Sequence, residues 1–322
     1  MLKYKLTRMM FMRVEKYSKI NAICWDDFVS KAKNGHFFFL RDYIEYHSDR
    51  FCDFSLIIYN DKGNIIALLP ASIDGDTVIS HGGLTFGGFV CDSKMTVAKM
   101  LEVFANVKQF LKNAGVRMFI YKCMPAIYSK YPSDEALYAL FRNNAELYRR
   151  DVSFSIYQLD RLGYQEQRKR AVKKGYRHQY ILEQSSKYEE YLSLLDRILI
   201  KYHGTHPVHS AGELRMLAEK FPNNIKLYIA EKDGRIEAGT VLFLQAGVVH
   251  TQYLANSDEG KKTGALDCLL DWLITDVYKD KTWFDFGISC EQEGRYLNEG
   301  LAAQKEGFGA RAVVHDFYRI EL

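Results

Sequence analysis

Long apolar runs are missing from this sequence. Charged residues interrupt its N-terminal segment every few positions, and no stretch reaches the roughly 18 apolar residues that a membrane-spanning helix requires. Closely spaced cysteine pairs are missing too, since the six cysteines stand singly and no signal peptide precedes them. We therefore expect a cytoplasmic protein with reduced thiols and no membrane span.

A strong excess of either charge is also absent. The 44 Lys and Arg residues against 40 Asp and Glu leave a formal net charge of +4, which is too small for a dedicated nucleic-acid coat. Any anion binding should therefore be local. Hydrophobic residues at 48% and aromatic residues at 14%, over 322 residues, are enough for two domains that each bury a core.

The order of predicted elements occurs twice. Residues 25–47 are predicted as a helix, an apolar run at 37–40 and a second helix. The first copy then has strands at 54–59, 65–72 and 77–80, a helix capped by Ser93, and a strand at 116–121. The second has strands at 225–230, 239–245 and 248–254, a helix from near Lys261, and a strand at 283–286. An offset of about 170 residues predicts two copies of one α+β domain, at 1–155 and 156–322.

The segment 282–318 mixes aromatic, glycine and ionisable residues more densely than any other. It is predicted as a buried strand ending at Gly287, a glycine-punctuated loop carrying Asn298, Glu299 and Lys305, and a final strand over 311–322. Polar groups at strand ends beside a loop of this kind form a plausible wall of a binding site.

The connector 161–178 is the most basic segment. Six basic residues cluster there against a single acid, Glu166; they are Arg168, Lys169, Arg170, Lys173, Lys174 and Arg177. One interpretation is the solvated face of a helix. The other is a phosphate-binding surface for a nucleotide-sugar, a coenzyme or an RNA.

Three histidines, His203, His206 and His209, lie within seven residues. No Asp, Glu or Cys joins them, and Pro207 breaks any helix that would align them, so we predict no metal site. A loop that contacts substrate and a plain polar loop both remain open.

The strand 248–254, the following loop and its helix resemble the acyl-coenzyme A segment of GNAT acyltransferases. A glycine-containing loop at a helix start presents backbone N–H groups and the positive end of the helix dipole, which suit a pyrophosphate. The family pattern of Arg or Gln, two residues, Gly, one residue, and Gly or Ala is approximated but not matched. The implied coenzyme-binding residues are Gly260, Lys261, Lys262, Thr263, Gly264 and Ala265.

The C-terminal motifs at 283–287, 298–301 and 305–309 resemble the FemAB-like branch of GNAT proteins. That resemblance implies two tandem GNAT-like domains, each a mixed, mostly antiparallel sheet flanked by helices. It also implies that the first domain lacks a coenzyme site, because 89–94 has neither the glycines nor the paired lysines. The glycine-rich stretch 81–88 is expected either to line a cleft or to form tight turns. A coiled-coil arm of the kind seen in members that use aminoacyl-tRNA is missing from the sequence.

The implied reaction is acyl transfer to an amine, which needs a base, a group that holds the oxyanion, and a proton for the leaving group. Asp285 is expected to be the base, to position the amine, or only to bond a neighbouring backbone group. Lys305 matches a lysine of the branch motif, which implies stabilisation of negative charge; a surface lysine is the alternative.

Further candidates follow from the same resemblance. His250, Tyr253 and Tyr318 are candidate proton carriers or structural residues. Asn298 and Glu299 are expected to bind the acceptor or to close a turn, and His203, His206 and His209 are the candidate substrate contacts if their loop is not a plain polar one.

Three functions follow. The first is a cytoplasmic N-acyltransferase that uses acyl-coenzyme A, such as acetyl-coenzyme A, on an amine such as an amino-sugar nucleotide or a cell-envelope precursor. The second is a tRNA-dependent aminoacyltransferase that acts on a peptidoglycan precursor. The third is a binding protein that keeps the fold without catalysis.

Overall fold

The computed structural model describes residues 12–322, apart from the side chain of His203. The charge-interrupted segment ahead of Met12 lies outside the described residues. The chain forms two compact units. Unit 1 comprises the described residues up to Arg150 together with His315–Leu322, and unit 2 is Asp151–Val314. Among the helices that the structure describes, none has the length and apolar character needed to cross a membrane.

Unit 1 contains four α-helices and two sheets. The helices are α1 (Ala22–Lys31), α2 (Arg41–Glu45), α3 (Val97–Asn113) and α4 (Glu135–Arg142). The strands are β1 (Arg13–Lys16), β2 (Cys52–Asp53), β3 (Leu56–Tyr59), β4 (Ile65–Leu69), β5 (Ser72–Asp74), β6 (Thr77–Ile79), β7 (Val90–Cys91), β8 (Met118–Lys122) and β9 (Glu146–Tyr157), which continues into unit 2. One sheet has the order β1-β3-β4-β7, and the other contains β8-β6-β5-β2, in which only β6 and β8 are parallel.

Helix α3 shows why the apolar spacing predicted this core. Met100, Phe104, Val107 and Leu111 recur at helical spacing, and all are buried in one cluster. The helix begins later than predicted, because the hydroxyl of Thr96 accepts a hydrogen bond from the Lys99 N–H, whereas Ser93 lies in the preceding turn. The predicted helix, apolar run and helix over 25–47 are confirmed as α1, a single 3₁₀ turn at Phe37–Phe39, and α2.

Unit 2 is built on the strand order β10-β11-β12-β13-β14-β9, with one parallel pair, β13 and β14. Its main strands are β10 (Ile181–Ser185), β11 (Ile225–Lys232), β12 (Arg235–Gln245), β13 (Val248–Asn256) and β14 (Trp283–Ile288). A small hairpin, β15 (Cys290–Glu291) and β16 (Tyr296–Leu297), follows, and β17 (Arg311–Glu321) leads back into unit 1. The helices are α5 (Glu166–Arg177), α6 (Tyr188–His203), α7 (Ala211–Lys220), α8 (Asp258–Thr263), α9 (Ala265–Trp272) and α10 (Glu299–Gly307).

The predicted fold class is confirmed, since each unit combines mostly antiparallel sheet with flanking helices. Two boundaries of these units differ from the predicted domains, since unit 2 begins at Asp151 rather than at 156 and ends at Val314. The predicted second domain, 156–322, included His315–Leu322, but these residues cluster with unit 1 because β17 pairs with β8 from Phe317↔Lys122 to Glu321↔Met118.

The glycine-punctuated loop predicted around Asn298, Glu299 and Lys305 is wrong, because this segment is helix α10. The Asn298 side chain caps the helix by accepting a hydrogen bond from the Leu301 N–H at 3.0 Å. Gly300 and Gly307 lie inside the helix, where glycine is tolerated at a modest cost. The break comes at Gly309, whose φ of +85° suits glycine.

Candidate functional site

Two neighbouring parallel strands of unit 2, β13 and β14, pair over only part of their length. The last pair is His250 and Asp285, although both strands continue beyond it. On its other side, β13 has one residue more than β12 at Gln252, which is the signature of a β-bulge. His250 and Asp285 therefore stand at the point where the pairing of the two strands ends.

The carboxylate of Asp285 is fully buried and bonded from two neighbouring strands. Its Oδ1 accepts hydrogen bonds from the hydroxyls of Ser153 at 3.0 Å and Ser155 at 2.7 Å, both on β9. Its Oδ2 lies 2.7 Å from Nδ1 of His250. Burying a carboxylate is costly unless it is hydrogen-bonded in this way. The arrangement fixes the orientation of the His250 ring, whose side chain keeps 13% of its surface exposed.

Alternation along β14 explains why Asp285 faces the site. Phe284 and Phe286 point into the apolar core beneath α9, so the residue between them points to the opposite face. On β9 the same alternation buries Phe154 and Ile156 in that core. The two serines therefore share the face of Asp285.

Lys305 reaches the end of β14 from helix α10. Its Nζ donates hydrogen bonds to the carbonyl oxygens of Gly287 at 2.8 Å and Ile288 at 2.7 Å. Burial lowers the pKa of Lys305 to about 8, although the Asp285 carboxylate opposes this shift. Gly287 has a φ of +71°, and a Cβ there would lie 3.2 Å from Cε1 of His250. Lys305 is thus a buried cation that holds the strand segment next to the Asp285–His250 pair.

The histidine loop does not act as one group. His209 is buried, and its Nδ1 lies 2.7 Å from the hydroxyl of Tyr253 on β13, whose pKa is raised by burial. His206 is exposed and lies 2.7 Å from Asp196. The side chain of His203 is outside the description. Among residues 12–322, the structure brings together no group of three or more His, Cys, Asp or Glu side chains that could hold a metal ion.

The start of the predicted coenzyme segment is capped and carries mixed charges. The hydroxyl of Ser257 accepts a hydrogen bond from the Gly260 N–H at 2.8 Å. Lys261 lies 3.8 Å over the ring of Tyr202, and Lys262 lies 3.7 Å from Glu259. Both lysines are exposed.

Helix α5 covers the end of the coenzyme segment. A Cβ on Gly264 would lie 2.4 Å from the carbonyl oxygen of Ala171, and one on Gly175 would lie 2.3 Å from the carbonyl oxygen of Gly264. Ala265 is fully buried, and Thr263 bonds the hydroxyl of Tyr180 at 2.6 Å. Gly264 and Ala265 therefore pack against α5, whereas the turn from Ser257 to Lys262 faces solvent more openly.

The basic connector is this same helix. Arg168 points inward, where it pairs with Asp267 and stacks 4.6 Å over the ring of Phe308. The other five basic residues are exposed; they are Lys169, Arg170, Lys173, Lys174 and Arg177. The helix is therefore amphipathic, with a basic outer face, and agrees with the prediction of a solvated helix face.

Comparison with known proteins adds to this geometry. No protein-family model matches the sequence, and no curated protein matches it significantly. Among solved structures, FemX superposes with a TM-score of 0.67 at 10% identity, over 94% of this chain and 96% of FemX. A C-terminal domain assigned to a lysylphosphatidylglycerol synthetase of Agrobacterium fabrum gives 0.61 at 12% identity, over 93% and 91%. A tandem GNAT protein from the clavulanic acid biosynthesis pathway gives 0.52 at 9% identity, over 97% and 98%.

The chain has the FemX-like tandem GNAT fold. The predicted resemblance to the FemAB-like branch is thus confirmed at the level of the fold. Of the catalytic residues proposed from the sequence, three lie close together in the structure: Asp285, His250 and Lys305. Tyr253 sits on the same strand as His250 with its hydroxyl bonded to His209, and Tyr318 belongs to unit 1.

Asn298 is the N-cap residue of helix α10, and Glu299 is the first residue of that helix. Asn298 also donates a hydrogen bond to Glu291 at 3.3 Å, and Glu299 is exposed in the first turn. Asn298 therefore caps the first turn of α10, and acceptor binding by either residue stays a prediction.

Sequence reasoning missed Ser153 and Ser155, the two hydroxyl donors to Asp285. The signal was present in Val152–Ser153–Phe154–Ser155–Ile156, where apolar and small polar residues alternate as in a strand with one buried face. Their contact with Asp285 depends on the pairing of β9 with β14, which the sequence pattern does not specify.

Proposed function

We propose that the chain is a cytoplasmic acyltransferase that transfers an acyl group to an amine in unit 2. The observation that carries this proposal is a fully buried carboxylate, Asp285, bonded to a partly exposed histidine where two parallel strands stop pairing. An acid and a histidine in this relation form a common proton-accepting unit. The FemX-like fold supports the same reaction class by analogy.

His250 is the general base in this proposal. Its Nδ1–H donates to Asp285, which leaves Nε2 as the basic nitrogen of the neutral ring. Nε2 takes a proton from the attacking amine, and the buried carboxylate stabilises the imidazolium that forms. The amine nitrogen bonds the acyl carbon and the donor leaves, so no covalent intermediate on the protein is required.

Lys305 is the electrostatic partner. Two of the three N–H groups of its ammonium bond the carbonyls of Gly287 and Ile288, which by count leaves one for the acyl oxygen as it gains negative charge. A pKa of about 8 also suits it to donate a proton to the leaving group.

Acyl-coenzyme A, with acetyl-coenzyme A the simplest case, is the first candidate donor. Helix α8, with the exposed Lys261 and Lys262 in its last turn, is the proposed contact for its phosphates because lysines attract anions, although Asp258 and Glu259 occupy its first turn. The acceptor in this version is an amine such as an amino-sugar nucleotide or another cell-envelope precursor.

An aminoacyl-tRNA is the second candidate donor, with a peptidoglycan precursor as the proposed acceptor. Two observations favour it: α5 covers Gly264 and Ala265, and the same helix presents five exposed basic residues. A basic helix face attracts a polyanion through its phosphates.

Donor assays with the purified chain separate these candidates. Product formation is followed by mass spectrometry with a panel of acyl-coenzyme A donors and, separately, with charged tRNA. If acyl-coenzyme A is the donor, Lys261→Ala with Lys262→Ala raises the KM for it, while Lys173→Ala with Lys174→Ala changes little. If tRNA is the donor, the pattern is reversed and depends on salt.

Two exposed lysines of unit 1 provide the matched control, since Lys94→Ala with Lys112→Ala removes the same charge from that unit. We expect this control to leave the KM for acyl-coenzyme A and the KM for charged tRNA unchanged. Absence of product with every donor would contradict the proposed enzyme and favour a binding protein that keeps only the fold.

A further inference from the structure

Unit 1 contains a cavity that the proposed reaction does not use. Its volume is about 350 Å³, within the usual range for small-ligand sites, and all of its lining residues belong to unit 1. They include Tyr17, Arg41, Ser48, Phe51, Ser72 and His81.

The charges around the cavity cancel. The guanidinium of Arg41 is buried, donates to Asp53 at 2.5 Å and to Glu45 at 3.3 Å, and lies 3.5 Å over the ring of Tyr17. Lys19 adds a second positive charge to the lining, which matches the two carboxylates. A site with two charges of each sign has no net attraction for a phosphate or an ammonium ion.

His81 lines this cavity and carries a buried ring nitrogen that has no partner among the described residues. The residue is 2% exposed, and the nitrogen is Nδ1. Its φ of +67° is strained for a residue with a side chain, and such strain concentrates at ligand sites. Burial and the nearby Lys122 hold the pKa of His81 well below its usual range. The neutral ring therefore offers one donor and one acceptor.

The glycine-rich stretch 81–88 builds the apolar wall. A Cβ on Gly82 would lie 3.1 Å from Cδ1 of Phe51, and one on Gly83 would lie 2.6 Å from Cε2 of the same ring. Glycine at both positions lets the ring of Phe51 lie directly on the backbone. The Gly82 N–H also donates to the hydroxyl of Ser72 at 3.0 Å, which fixes that hydroxyl at the cavity.

We propose that this cavity binds a neutral, polyhydroxylated ligand of monosaccharide size. An aromatic ring at the wall suits the apolar C–H face of a sugar ring. Carboxylates, a guanidinium, a serine hydroxyl and an imidazole around it suit the alternating donors and acceptors of the sugar hydroxyls. The cancelled charge disfavours phosphates and amines as the primary ligand. This inference does not depend on the proposed acyl transfer, because none of its residues belongs to unit 2.

Titration of the full chain with neutral sugars tests the proposal. Glucose, galactose, mannose and N-acetylglucosamine are added separately, with inorganic phosphate and putrescine as charged probes. Binding is followed through the ring-nitrogen resonances of His81 in protein labelled at histidine. At least one sugar is expected to bind in the millimolar range or tighter and to shift the His81 signal.

A blocking variant and its neighbour complete the design. Ser48 is exposed and lines the cavity, so Ser48→Trp fills the entrance without disturbing the core; Asp49→Trp places the same bulk one residue away, outside the lining. Sugar affinity should fall about tenfold or more in Ser48→Trp and stay unchanged in Asp49→Trp. The proposal is overturned if no neutral sugar binds, if only phosphate or putrescine binds, or if binding survives Ser48→Trp.

Discussion

Asp285 is the residue on which the proposed chemistry depends most. Asp285→Asn keeps the size of the side chain but removes its charge, so the amide no longer holds the His250 ring as an Nδ1–H donor or stabilises the imidazolium. We expect kcat/KM to fall by roughly 10²–10⁴ in steady-state assays with the active donor.

The matched control for this change is Asp280→Asn, which alters an exposed aspartate of the same unit. Its activity should remain within about twofold of the wild type, as for most surface substitutions. Near-normal activity in Asp285→Asn, with the fold intact by circular dichroism, would remove the dyad from the mechanism.

Lys305 sets the expected pH dependence of activity. Its pKa of about 8 means that the ammonium is lost as the pH rises through that value. If the cation is the active form, kcat/KM declines above about pH 8. Lys305→Arg keeps its charge until far higher pH, so any activity it retains should lack this decline. A decline that persists unchanged in Lys305→Arg would assign the titration to another group.

The same lysine contributes to stability with a defined sign. Burial lowers its pKa in the folded state to about 8 from an ordinary value of 10.5, so the unfolded chain binds more protons between these two values. The free energy of unfolding of the wild type should therefore rise with pH over this window, relative to Lys305→Met, by up to roughly 3 kcal/mol. Urea titrations at several pH values measure it, and a flat or falling difference would contradict the buried cation.

At the scale of the elements, hydrophobic periodicity predicted hairpins and helices well. The strands β11, β12 and β13 and the helix α3 were found because their apolar positions repeat at strand or helix spacing. The sequence does not predict helix α10, because Gly300 and Gly307 are typical of a loop, whereas the Asn298 cap and the burial of Ala302 and Lys305 favour a helix. Asp285 and Lys305 could be named from sequence, but the serines of β9 depend on strand pairing.

The packing of α5 on the junction between α8 and α9 gives an element-scale prediction. A Cβ on Gly175 would lie 2.3 Å from the carbonyl oxygen of Gly264 and 2.8 Å from Sγ of Cys268. Gly175→Ala should therefore push α5 away from the junction between α8 and α9. We expect it to lower the free energy of unfolding by about 1–3 kcal/mol, as overpacking does. Thermal and urea denaturation measure this change.

Gly212 offers the comparison, since it also lies in a helix but a Cβ there meets nothing within 4 Å. Gly212→Ala should stabilise the protein by up to about 1 kcal/mol, because alanine is the better helix former. Equal effects of the two substitutions would show that helix propensity, and not the contact between α5 and Gly264, decides the outcome.

At the scale of the whole molecule, the path of the chain makes unit 1 discontinuous in sequence. Its C-terminal residues, His315–Leu322, follow the whole of unit 2, and β17 pairs with β8 over five residues. Sequence periodicity predicted the strand over 311–322 but not its partner, because strand pairing between distant segments leaves no local pattern. Residues His315–Leu322 therefore place a strand beside β8 in the sheet of the first unit.

Removing residues 315–322 tests this connectivity. The truncation leaves the backbone groups of β8 on that side without partners and exposes part of the unit 1 core, where Ile320 is buried. Hydrogen exchange measured by mass spectrometry should show faster exchange in Met118–Lys122, while Ile225–Lys232 in unit 2 keeps its protection. Unchanged protection of β8 would mean that the terminal strand contributes little to unit 1. Equal loss in both segments would mean that the two units unfold together, because local loss of a strand from one unit cannot by itself expose amides in the core of the other.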